Sequence, residues 1–264
     1  MKKTLIIIFS AFLVSAQETQ QTREVLNVFA SIGIGFKTGG QLFTSITENP
    51  STEVPGERII VGEENEFFNY GQGFKINLGA QYLAMENLGL QLDFEISLGA
   101  PGFETDDHLI DAAGARIDST TEYTRNMYGI KFLVVPRFEV LELITMYTGV
   151  GIGFFWNSNH YDITRSVSTG TTTEKGRIVS SPTLGWTGLI GGDYPVSDRI
   201  ALFGEIAFDQ VVFKWKKRII EQTNIPGKRV GTTFFEEDDP SNEEPLKVPG
   251  SNWQIRIGAR FSIL

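Results

Sequence analysis

"NWQIRIGARFSIL", residues 252–264, closes the chain, and every second position is apolar: Trp253, Ile255, Ile257, Ala259, Phe261 and Ile263. Between them stand Asn252, Gln254, Arg256, Gly258, Arg260 and Ser262. Side chains alternate across a strand, so a period of two means that the two faces meet different surroundings. One face is greasy and the other carries two arginines. Which of them looks inward decides the fold.

The pattern recurs upstream in "NVFASIGIGF" (27–36), "FKINLGAQY" (74–82), "LGLQLDFEISL" (88–98), "YGIKFLVVPRF" (128–138), "MYTGVGIGFFW" (146–156), "LGWTGLIGGDY" (184–194) and "IALFGEIAF" (200–208). With the terminal stretch this predicts eight strands. Short and long connections alternate strictly between them. "AMEN", "EVLELI" and "PVSD" are short, whereas 37–72, 99–126, 157–181 and 214–251 are long, polar and rich in acidic residues. Strands of about ten residues, short turns at one end and long loops at the other describe an even-stranded, up-and-down barrel that crosses a membrane. The expected fold is therefore all-β: an eight-stranded antiparallel up-and-down transmembrane β-barrel.

A soluble, lipocalin-like barrel would show the same period with its apolar face inward. Three features favour lipid outside. Aromatic residues gather at strand ends, Phe36, Phe74, Tyr128, Trp156, Phe213, Trp215 and Trp253 towards the long loops and Tyr82, Phe138, Tyr194 and Phe261 towards the turns. Such girdles mark the two membrane interfaces. The polar face is rich in glycine, which an exposed strand gains nothing from but a crowded lumen needs. The same face carries both signs of charge: Asp93, Glu95, Lys131, Arg137, Glu205, Asp209, Arg256 and Arg260. Buried charges persist when paired, so these eight are expected to form an ion-pair network inside the barrel.

Residues 1–16, "MKKTLIIIFSAFLVSA", have the two lysines, short apolar run and small-residue end of a signal peptide, with cleavage expected after Ala16. The barrel domain is then expected over 17–264. The chain has no cysteine, which excludes disulfides, thiolate metal sites and lipidation. Its formal net charge of −9 argues against a nucleic-acid partner.

The layout of these eight strands resembles the small outer-membrane β-barrel families of the OmpA-transmembrane-domain, OmpX and OmpW kind, and the PorT-like "porin family" barrels of Bacteroidota, with which the "SAQ" at 15–17 also agrees. The resemblance implies a Gram-negative outer membrane, contact with its lipids and lipopolysaccharide, and insertion by the barrel-assembly machinery. Trp253, Ile255, Ile257, Phe261 and Ile263 look like the C-terminal signal that this machinery reads. They depart from its pattern in that Phe261 is followed by Ser262, Ile263 and Leu264.

Some barrels of this size modify lipids, which requires a histidine beside a hydroxyl and a carboxylate. The chain has two histidines, His108 in "ETDDHLID" and His160 in "WNSNHYDIT", where Ser158 and Asp162 stand nearby. Neighbours in a loop are not a triad, and the expectation is no enzyme: no catalytic residue, no metal and no cofactor. The acidic runs 63–66, 104–107 and 235–244 lack calcium-loop spacing. "FKWKKR" (213–218) is the one basic cluster, suited to lipid phosphates with Trp215 as an interface anchor. The functional expectation is a structural or interaction role through the external loops, including membership of a larger outer-membrane complex. A narrow pore or small-molecule channel is the alternative, and a lipid-modifying enzyme the second.

Overall fold

The computed structural model describes residues 25–50, 58–99, 103–110, 116–141, 144–167, 170–234 and 246–263. The signal peptide expected at 1–16 and the acidic run 235–244 lie outside the described residues. Among the described residues there are fifteen strands: β1 (Val25–Lys37), β2 (Gln41–Pro50), β3 (Arg58–Phe68), β4 (Gly73–Met85), β5 (Leu88–Gly99), β6 (Phe103–Ile110), β7 (Arg116–Leu141), β8 (Ile144–Val167), β9 (Gly170–Ser180), β10 (Thr183–Pro195), β11 (Ile200–Gln210), β12 (Val212–Thr223), β13 (Gly231–Phe234), β14 (Lys247–Pro249) and β15 (Asn252–Ser262).

Eight of them close a ring. β1 pairs with β4, β4 with β5, β5 with β7, β7 with β8, β8 with β10, β10 with β11, β11 with β15, and β15 returns to β1, every pair antiparallel. These are the eight alternating segments of the sequence. Closure leaves no strand edge within the ring, so each backbone donor and acceptor there has a neighbour, as a lipid environment demands. Ile32, Leu90, Phe132, Val150, Ile206, Ile255 and Ile257 are exposed on the outer wall. Lys75, Asp93, Glu95, Lys131, Glu205, Asp209, Arg256 and Arg260 are buried inside. A barrel with its apolar side chains outside and its charges inside is built to stand in a bilayer.

The long connections hold more order than a polar loop reading anticipates. β7 and β8, 26 and 24 residues long, run far past the ring, and their outer halves stay paired from Asn126 and Ser158 to Asp118 and Ser166. β6 adds to the outer half of β7, and β9 to that of β8. β12 then pairs with β9, and β13 and β14 pair with β12. β2 and β3 form a hairpin joined to β6 by a parallel bridge at Thr47 and His108. The external region is thus a continuation of the barrel wall. Alternation there is broken by threonines and charges on both faces, which hides its strands from a hydrophobic-period search.

Candidate functional site

The alternation that sends Trp253 and Ile255 outward sends Gln254 and Arg256 inward, and the same rule on each strand fills the lumen. Near its outer end, the Lys131 ammonium lies 2.6 Å from Glu95 and 2.8 Å from Asp209, and Lys75 lies 3.0 Å from Glu95. Gln254 donates to both carboxylates, at 2.9 and 2.5 Å. One level further in, the Arg256 guanidinium spans Asp93 at 2.8 Å and Glu205 at 2.5 Å, and the Tyr147 hydroxyl donates to Glu205 at 2.9 Å. Towards the turns, Asp193 accepts from both Arg137, at 2.6 Å, and Arg260. Arg137 also donates to Gln81 at 2.7 Å.

All eight charged residues expected in the lumen enter this ladder. Asp93 is the direct cross-strand neighbour of Lys131, yet it bonds Arg256 while Lys131 reaches Glu95 and Asp209. In a tilted, closed sheet the diagonal and cross-lumen neighbours come within reach of long side chains as readily as the directly opposed one. Two members were missed, Lys75 and Asp193. Both stand on the inward parity of their strands, and that signal was available. With them the ladder has five cations (Lys75, Lys131, Arg137, Arg256, Arg260) and five carboxylates (Asp93, Glu95, Asp193, Glu205, Asp209), a net charge of zero.

Glycines give the larger side chains room. A Cβ at Gly153 would stand 2.4 Å from the Phe155 ring and one at Gly129 2.9 Å from it, so the ring lies across both strands. Phe29 occupies the space over Gly79 in the same way.

Above the ladder the mouth is closed by aromatic residues. Phe68, Tyr70, Met127, Phe155, Phe213, Trp215 and Val248 form one buried cluster. Phe68–Tyr70 and Tyr70–Phe213 meet edge to face at 5.2 and 5.3 Å, and the Trp215 indole N–H donates to the Tyr70 hydroxyl at 3.0 Å. Burial pushes the Tyr70 phenol well above its ordinary range. Asn69 ties three connections together, donating to the carbonyls of Gly39 and Ser251 and accepting from Gly71 N–H. Here the sequence reading is corrected. Phe213 and Trp215 are not part of the outer girdle; both face inward, Trp215 being 7% exposed, and Trp215 anchors the seal rather than the membrane interface. Their parity continues that of Glu205, Ala207 and Asp209, all inward, which is the physical reason.

Higher up, Glu174 is fully buried and takes Arg218 at 2.5 Å, Lys228 at 2.5 Å and the Tyr161 hydroxyl at 3.1 Å. Burial alone would push its carboxyl up, but the bond from Lys228 and the charge of Arg218 outweigh that and hold it below the ordinary carboxylate range. His108 lies 2.6 Å from Asp118, which also takes Arg116 at 2.7 Å. His160, Ser158 and Asp162 share the outer face of β8, but Asp162 is engaged by Lys175. Trp253, Ile255, Ile257, Phe261 and Ile263, the expected assembly signal, all face outward.

No family model and no curated protein matches the chain. Solved structures do. A major outer membrane protein from Thermus thermophilus aligns at TM-score 0.46 and 13% identity, over 91% of this chain and 99% of that one. OprG from Pseudomonas aeruginosa aligns at 0.43 and 9%, over 91% and 95%. Neisserial surface protein A aligns at 0.40 and 11%, over 90% and 96%. The chain is similar to these small outer-membrane β-barrels. Its own architecture, a closed antiparallel ring with an apolar outer wall and a charged interior, is that of a membrane-spanning β-barrel.

The expectation that the chain is no enzyme is corrected by the same comparison. The outer membrane protease OmpT from Escherichia coli is among the similar structures, at TM-score 0.32 and 11% identity, over 93% of this chain and 99% of that one. Barrel architecture therefore gives no answer on catalysis.

Proposed function

We propose that this chain is a sealed outer-membrane barrel that carries a rigid external sheet and acts through that sheet, as a structural or docking component of an outer-membrane assembly. The observation that supports this most is the filled interior, a ladder of ten charges with net zero beneath a closed aromatic cluster. A pore needs a continuous polar path, and the ladder's side chains bond one another across the space such a path would use. The external strands, by contrast, extend the wall into a platform presenting Thr120, Thr124, His160, Thr164, Thr173, Lys175 and Arg177 on one face.

The reading carries further proposals with it. A cleavable signal peptide at 1–16 delivers the chain through the inner membrane of a Gram-negative cell, the "SAQ" pointing to a Bacteroidota source. The outward row from Trp253 to Ile263 serves the barrel-assembly machinery. Outer-membrane lipids and lipopolysaccharide, and other outer-membrane proteins, are its partners. Planar-bilayer recording tests the central claim. No stepwise conductance is expected from the folded, heat-modifiable protein, and reproducible unitary steps would return the pore reading. Affinity capture of the tagged chain from native outer membranes should co-purify a stoichiometric partner. Its recovery as a lone protein after mild crosslinking would count against an assembly role.

A further inference from the structure

The external sheet does not close as the membrane ring does. Among the described residues its pairing runs from β3 through β2, β6, β7, β8, β9 and β12 to β13, and no pairing joins β13 back to β3. Strand direction bears on this. β3 is antiparallel to β2, β2 is parallel to β6, and β6 is antiparallel to β7. On the other side, every step from β7 through β8, β9 and β12 to β13 is antiparallel. Both β3 and β13 therefore run as β7 does, towards the membrane. Between themselves they could pair only in parallel, whereas a single strand running the other way would be antiparallel to both.

At their base the two edges already meet. The Tyr70 N–H, just past β3, donates to the Pro249 carbonyl of β14 at 3.1 Å, and Phe68 meets Trp215 of β12 edge to face at 6.3 Å. β9 holds one side of β12, and β14 and β13 follow one another along the other: Pro249 is opposite Val212, Phe234 opposite Lys217 and Gly231 opposite Ile220. β13 thus lies roughly five to eight residues above the joined base, and the same count back from Tyr70 reaches the acidic stretch "GEEN", 62–65, of β3. Free strand edges are normally guarded by lysine, proline or shortness. β3 has 11 residues and neither lysine nor proline. All four residues of β13 are exposed, and so is Val230 before it.

We propose that the edges of β3 and β13 form a slot for one extended, basic segment of a partner protein. The segment enters as an added strand running outward from the membrane, antiparallel to both edges at once. Main-chain hydrogen bonds on its two sides supply the affinity, and the acidic stretch of β3 selects for lysine or arginine. This rests on the reading of the external sheet as the docking element and names what docks there.

The test uses the full barrel in an uncharged detergent and, as probe, a fluorescent peptide of alternating valine and lysine. Successive N–H groups of an extended peptide point to opposite edges. N-methylation of the valines alone, or of the lysines alone, should therefore each weaken binding at least tenfold with the charge unchanged. Weakening by one set only means that a single edge is used, and weakening by neither means attraction by charge alone; both outcomes overturn the slot. An alternating valine–glutamate peptide should bind at least tenfold more weakly, and equal binding refutes the basic occupant. Because the chain has no cysteine, Val230→Cys, at the outer end of β13, reports direction. It should form a disulfide with a probe carrying cysteine at its C-terminus, and preferential capture of an N-terminal cysteine refutes the outward strand. Hydrogen exchange supplies a readout on the parent itself. About two of the four β13 amides face the slot; they should exchange quickly in the free protein and slowly with the probe. Four slow amides in the free protein would show the slot filled by the chain's own residues and overturn the proposal. Failure of the docking reading is separate: it would show as a lone protein in crosslinked outer membranes, whatever the peptide does.

Discussion

Arg256→Ala probes the lumen at its most connected cation. Arg256 is 2% exposed and holds Asp93 at 2.8 Å and Glu205 at 2.5 Å, both fully buried. Truncation takes the ladder from net zero to −1. Glu205 retains Tyr147 and a distant contact with Arg260 at 3.9 Å, whereas Asp93 loses the cation it bonds. Removing one partner of a buried pair costs about 3–5 kcal/mol, most of it the uncompensated charge left behind. With a urea dependence of about 2 kcal/mol per M, the unfolding midpoint should fall by roughly 1.5–2.5 M. The assay is urea unfolding in lipid vesicles, read by loss of the heat-modifiable band. Arg229→Ala, at an exposed position, is the comparison, with an expected change of about 0.5 kcal/mol or less. Lys228 would be a poor control because its ammonium holds the buried Glu174. Replacing Asp93 by Leu together with Arg256 by Met should recover part of the loss, since apolar pairs of similar volume often replace buried ion pairs without cost. A midpoint for Arg256→Ala within 0.3 M of the parent, about 0.6 kcal/mol on the same slope, would refute the buried, interdependent ladder.

Other consequences are as direct. Gly153→Val should lower the folded yield, because its Cβ would lie 2.4 Å from the Phe155 ring; overpacking of this kind costs about 1–3 kcal/mol, and Phe155→Ala in the same chain should restore part of the heat-modifiable band. Acyl chains brominated near mid-chain should quench Trp186 strongly and leave Trp215 untouched, as single-tryptophan variants will show; equal quenching would return Trp215 to the interface girdle. The Glu174 carboxyl is depressed in the folded state, so its stabilisation is fully present above its ordinary pKa near 4.5 and is lost as pH falls through the lower folded value. Proteolysis at Lys228 and Arg229 should therefore accelerate in the parent as pH falls below the ordinary carboxylate range, and Glu174→Gln should be cleaved quickly at neutral pH as well.

Much of the barrel was legible because a bilayer leaves one solution to a period of two. Every segment with the alternation of Leu88–Leu98 became a wall strand, and the inward charges Asp93 and Glu95 followed from parity alone. Partner choice was not legible, since Asp93 bonds across the lumen instead of to its cross-strand neighbour Lys131, and that depends on tilt. The seal was half legible. The parity of Glu205 and Asp209 carries on to Phe213 and Trp215, but aromatic side chains near a strand end suit a girdle and a plug equally well. External strands such as β9, "GTTTEKGRIVS", were hidden because threonine and charge occupy both faces and no apolar period is left to read.

The two longest strands have a mechanical consequence. β7 and β8 cross the membrane boundary as one paired ribbon, with Tyr128 against Trp156 at the boundary and Thr120 against Thr164 well beyond it. From Arg116 to Arg125 the outer arm of β7 measures about 30 Å, comparable to the hydrocarbon thickness below it. No joint separates arm from anchor along this ribbon. A load applied near Asp118 is therefore carried into the wall as torque instead of being absorbed by a swinging loop. Whatever grips the external sheet there also steers the tilt of the cylinder in its bilayer.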